Sequence, residues 1–104
     1  MQNSREYNIL LLDYYGDLLT NHQLDIMNDY YNDDLSMNEI AEIYKISKSA
    51  VQDLIKRTLK QLLDYESKLN LIEKDRKLDI VIDEMNKENN SLLDKYIIKI
   101  KNIK

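Results

Sequence analysis

Apolar residues recur at helical spacing along almost the whole chain, and the polar residues between them carry start and stop signals. From Glu6 to Tyr15 the pattern places Ile9, Leu10, Leu12 and two tyrosines on a helix that Gly16 terminates. Thr20 and Gln23 stand three apart as a capping box, opening a second helix through Leu24, Ile26, Met27, Tyr30 and Tyr31. Asn32-Asp33-Asp34 is turn chemistry, and Ser36 with Glu39 forms another capping box. Ile40, Ala41 and Tyr44 then turn one short face inward, with the small Ala41 placed where two helices must cross closely. Ser47 is a further N-cap, and Val51, Leu54, Ile55 and Leu59 form the inner face of the helix it starts. Two helices joined by a tight turn, with a small residue at the crossing, spell a helix-turn-helix. Lys45 occupies the turn position usually given to glycine, at a cost on the order of 1 kcal/mol if its φ is positive.

Beyond the turn the periodicity changes character. Val51, Ile55, Thr58, Leu62, Tyr65, Leu69 and Ile72 alternate steps of four and three, a heptad seam. The seam slips by one and resumes at Leu78, Ile82, Met85, Asn89, Leu92 and Tyr96, which predicts a break between Asn70 and Lys77. A second break is expected at Asn89-Asn90-Ser91, with Ser91 capping a final helix. The fold class is therefore all-α: a helix-turn-helix domain of about four helices over residues 1–70 and a long helical extension over 71–104, with no wing or β element. Four short helices leave the Leu62 to Ile72 stripe, Ile80-Val81-Ile82 and Ile97-Ile98 in need of cover. Either the tail folds back as extra helices or two chains pair along it. A homodimer buried along Leu62, Leu69, Ile72 and the Leu78 to Met85 segment is the favoured reading.

Composition removes most other functions. There is no cysteine, hence no disulfide, thiolate nucleophile or cysteine-ligated zinc. His22 is the only histidine and adjoins an N-cap, with no relay partner. Gly16 is the only glycine, which excludes a glycine-rich phosphate loop. Asp29, Asp33 and Asp34 lack the spacing of a hard-cation loop. No enzyme activity, cofactor or metal is expected. Tyr14, Tyr15, Tyr30, Tyr31 and Tyr44 could stack on unpaired bases, but in a chain without phenylalanine or tryptophan they are expected to supply the aromatic core. No apolar run reaches the roughly 20 residues that span a bilayer, and MQNSREYN shows no signal-peptide pattern, so a cytoplasmic location is expected.

The net charge of −4 is unevenly spread. Met1 to Tyr44 holds one basic and nine acidic residues. Lys45 to Lys60 reverses this with five basic residues, namely Lys45, Lys48, Lys56, Arg57 and Lys60, against Asp53 alone. The remaining residues balance at nine of each. The basic island coincides with the second helix of the motif, which points to an anionic partner. In that reading Ser47 and Ser49 offer contacts to phosphate at a helix N-terminus, Gln52 and Asp53 reach base edges, and Lys48, Lys56, Arg57 and Lys60 neutralise backbone charge. A solvated helix face is the alternative.

LLDYYGDLL, Thr20 to Gln23, DYYNDDLSMNEIAE, ISKSAVQDLIKRT and LLDYESKL, in this order and spacing, resemble the YlxM family of bacterial helix-turn-helix proteins from about Leu10 to Leu71. Lys48 and Gln52 stand where that family commonly has arginine and tyrosine, and lysine lacks arginine's two-pronged grip. The family is similar to the promoter-reading C-terminal domain of sigma factors. It is tied by gene neighbourhood to the signal recognition particle GTPases Ffh and FtsY. The resemblance thus implies a regulatory or accessory role in that targeting pathway, with particle RNA or Ffh/FtsY as partner. A DNA-binding transcriptional regulator is the alternative.

Overall fold

Serine and threonine caps start the first four helices; Gly16 ends the first, Asn32 in right-handed geometry the second, and the left-handed Lys45 and Asn70 the third and fourth. The computed structural model describes residues 4–87 and 91–103. Helix α1 spans Arg5–Tyr15, with the Ser4 hydroxyl accepting from the Tyr7 N–H. Helix α2 spans Asn21–Tyr31 behind the Thr20/Gln23 box, and α3 spans Met37–Tyr44 behind the Ser36/Glu39 box, both boxes being reciprocal. The Ser36 backbone N–H, and then its hydroxyl, hold the Glu39 carboxyl below the usual carboxylate range. Helix α4 spans Lys48–Leu69, and Ser47 Oγ accepts from the Ala50 N–H at 3.0 Å. Helices α5 (Leu71–Lys87) and α6 (Ser91–Ile103) follow. No strand occurs among the described residues.

Several punctuation marks act differently from the sequence reading. Gly16 does end α1, but in right-handed geometry (φ −56°, ψ −35°) that opens a 3-10 turn over Gly16–Leu18. Its value is space: a Cβ there would lie 3.1 Å from Leu24 Cδ1. Lys45 does take the left-handed conformation, at φ 56° and ψ 44°, and the Ile46 N–H closes back on the Ala41 carbonyl at 3.0 Å. Asn70, with φ 55°, makes the expected break after Leu69. The expected break at Asn89 and Asn90, and the seam position at Asn89, lie outside the described residues, as do the side chains of Ser91 and Leu92.

The chain divides at this point into one compact unit through Leu69 and a second from Asn70 onward. In the first, α4 is the central post against which α1, α2 and α3 all pack. Its buried strip is Val51, Ile55, Thr58 and Leu62. Leu54 and Leu59, expected on the inner face, are only half-buried. Thr58 is tolerated inside because Gln23 Nε2 donates to its hydroxyl (3.4 Å) and to Gln61 Oε1 (3.1 Å). Leu11, Leu12, Tyr15, Ile26, Met27, Tyr31, Ile40 and Ala41 complete the core. Tyr15 and Tyr31 are buried while Tyr14, Tyr30 and Tyr44 are half-buried, so tyrosine does serve as the core aromatic.

The heptad seam is corrected on two points. Leu62 has no exposed surface, so it cannot contribute to a seam between chains, whereas Leu69 is 43% exposed. In the second unit α5 and α6 pack together, and Ile82 and Ile97 are its buried residues among those described. Tyr96, expected on the seam, is exposed and its neighbour Ile97 faces inward.

Candidate nucleic-acid or partner interface

Successive residues of a helix are about 100° apart, so the strip that α4 buries decides which residues remain outside. Ser47, Lys48, Ser49, Gln52, Asp53, Lys56, Arg57 and Lys60 are all exposed. The capped N-terminus presents Ser47, Lys48 and Ser49 together at the tip. Farther along, the expected cluster of cations divides. Arg57 Nε is bound to Asp53 Oδ2 at 3.0 Å, both side chains being well exposed. Such a surface pair is screened and flexible, and it spends part of the arginine's charge within the chain. Lys48, Lys56 and Lys60 form no ion pair among the described residues.

Gln52 and Lys56 turn away from Asp53 toward a groove of about 470 Å³. Its apolar lining comes from Met37, Ile55, Leu59 and Leu63, with Tyr30 and Tyr31 from the end of α2 and Asn8 from α1. Lys56 and Lys60 stand one helical turn apart on its α4 side. Asn8 Nδ2 donates to the Tyr31 hydroxyl at 3.3 Å, and burial, chiefly, raises the Tyr31 phenol above its ordinary pKa, so it stays neutral.

Arg5 holds the far wall of the groove in place. Its Nη2 donates to the Tyr30 carbonyl (2.7 Å), the Tyr31 carbonyl (3.3 Å) and Asp34 Oδ1 (2.9 Å). Those carbonyls end α2 and lack helical partners, and a cation there also suits the helix dipole. The guanidinium carbon lies 5.3 Å and 5.1 Å from the centroids of the Tyr30 and Tyr31 rings. Arg5 was legible as the one cation among the first 44 residues, but its partners 25 to 29 positions away were not.

The remaining singled-out residues have structural partners. His22 is exposed and meets the Tyr44 ring edge-on at 5.7 Å between centroids. The Tyr44 hydroxyl donates to Asp29 Oδ2 at 2.9 Å, and burial followed by this carboxylate raises the Tyr44 phenol.

Residues 2–103 match the model of a family described as "Putative helix-turn-helix protein, YlxM / p13 like" (UPF0122). A UPF0122 protein of Clostridium perfringens is 50% identical over 103 residues, covering 95% of this chain and 89% of the relative. One from Clostridium botulinum is 58% identical over 65 residues, covering 62% of this chain and 60% of the relative. Another from Clostridium acetobutylicum is 54% identical over 70 residues, covering 67% and 60%.

Proposed function

The chain belongs to the YlxM / p13-like helix-turn-helix family, and from that premise we propose that it is a non-enzymatic accessory or regulatory protein of the signal recognition particle pathway, acting in the cytoplasm through α4. The partner in this reading is particle RNA or the Ffh/FtsY GTPases. Residues 1–70 form the binding domain and 71–104 a helical extension. The observation that carries the reading is the exposed face of α4. Lys48, Lys56 and Lys60 have no ion-pair partner there among the described residues, in a chain whose first 44 residues hold nine acids against one base. Ser47, Ser49, Gln52, Asp53 and Arg57 complete the proposed contact set. An acidic front half disfavours a duplex wrapped past α4, which places particle RNA or a protein ahead of DNA. A promoter-reading regulator is the second reading, supported by the helix-turn-helix itself.

Changing Lys56, Arg57 and Lys60 together to glutamine is expected to abolish partner binding. Unfolding should move little, because all three are exposed and the Arg57–Asp53 pair contributes roughly 0–1 kcal/mol. Binding to particle RNA, with promoter DNA as competitor, is to be measured across a salt series. A duplex partner gives a log–log slope of about 0.9 per phosphate neutralised, a single strand about 0.7. Salt-sensitive RNA binding that the variant loses supports the first reading, and selective DNA binding favours the second. A variant that binds every candidate as wild type does reduces the island to a solvated face.

The extension is proposed to pair two chains. Ile80, Val81 and Ile98 are 52%, 42% and 60% exposed, a density of apolar surface that suits a symmetric contact. Sedimentation velocity reads this directly: a dimer is expected at tens of micromolar, and a monomer there overturns the pairing.

A further inference from the structure

We propose that the groove between α4 and the Tyr30–Tyr31 end of α2 is a docking site for an acidic amphipathic helix of another protein, one that lays an apolar stripe on Leu59 and Leu63 and sets two carboxylates against Lys56 and Lys60. The inference rests on the reading that the exposed side of α4 is the working surface, and it names the chemistry of the partner there.

Four observations converge on this occupant. The lining from Gln52 to Leu63 spans about 16 Å of helix, three turns, which suits a partner segment of about ten residues. The floor and walls are aliphatic and aromatic, surfaces that a phosphate backbone does not use. Among the described residues Lys56 and Lys60 are the only charged ones that line the groove, and neither is ion-paired, whereas Arg57 and Lys68 on the same helix are paired with Asp53 and Asp64. An anionic edge is therefore what complements it, and carboxylates one turn apart on a helix match the lysine spacing. The Tyr30 ring, finally, is closed to base stacking: it stands edge-on to Tyr31 at 4.9 Å with the Arg5 guanidinium over it. A second copy's α6 is a poor fit, since Lys95, Lys99 and Lys101 outnumber Asp94 and would bring like charge to the groove.

The test uses the full chain and a pair of synthetic stapled helical peptides of about 14 residues. Both carry a leucine stripe; one has two glutamates a turn apart beside it, the other two lysines. Binding is read by fluorescence anisotropy and by methyl NMR of Met37, Leu59 and Leu63. The glutamate peptide is expected to bind about tenfold more tightly than the lysine peptide, and to shift those three methyl signals. K56E/K60E, which alters exposed residues only, is expected to reverse the preference. Equal binding of the two peptides, shifts on another surface, or no binding of the glutamate peptide up to about 1 mM overturns the proposal. A glutamate peptide that splits a dimer of the chain assigns the groove to a second copy, and overturns it too. If structured RNA moves the α4 signals while the peptide does not, this inference fails and the reading of α4 as working surface stands. If peptide, RNA and DNA all leave α4 unmoved, both fall.

Discussion

Replacing Tyr15 with alanine is expected to destabilise the first unit by about 3–5 kcal/mol, the range for removing a buried aromatic ring. Tyr15 is 1% exposed, and its ring centroid lies 6.2 Å from that of Tyr14 and 6.0 Å from that of Tyr65. Its hydroxyl donates to Glu66 Oε1, so the side chain ties the last turn of α1 to the last quarter of α4. A cavity here removes packing and leaves a carboxylate without one of its donors. Folded stability of a chain this size is about 5–15 kcal/mol, so the variant should be near its unfolding midpoint in mild urea. Tyr15→Phe separates the two terms: it keeps the ring and removes the hydroxyl, for about 1.5–3 kcal/mol if the bond to the charged acceptor matters. Urea unfolding followed by circular dichroism measures both. A midpoint unchanged in the alanine variant would show that Tyr15 is not part of the core.

Leu62→Ala should cost about 2–5 kcal/mol, and the loss should not depend on protein concentration. Leu62 is fully buried within a single chain, on the same strip of α4 as Thr58 and Ile55. The lost contacts are therefore internal, and dilution has no bearing on them. A contact across a dimer behaves otherwise, because its contribution weakens as chains dissociate. Unfolding of wild type and variant at about 5 and 100 µM distinguishes the two, since linkage to association makes the midpoint concentration-dependent. A deficit that grows on dilution would return Leu62 to an interface between chains. Loss of the same size at both concentrations is the expected result.

What the sequence determined by itself is what closes within a few residues. The boxes at Thr20/Gln23 and Ser36/Glu39, the Ser47 cap and the left-handed Lys45 are satisfied by partners no more than four or five positions away. Local hydrogen bonding needs no knowledge of the rest of the chain, so the helix-turn-helix was legible, and so was the break at Asn70. The exposed identity of the basic residues on α4 also followed from the apolar period. The tertiary structure decided everything that depends on which distant segment comes to lie alongside. It gave Gln23 a second task, donating across to Thr58 and Gln61, and sent Arg5 to the end of α2. It left Lys56 and Lys60 on a groove whose other wall comes from α1, α2 and α3. It buried Leu62 inside one chain, although the heptad count marked it equally well for a seam between two. Periodicity shows which side of a helix is apolar; only packing, through contacts made far along the chain, determines what covers that side and which part of it stays open.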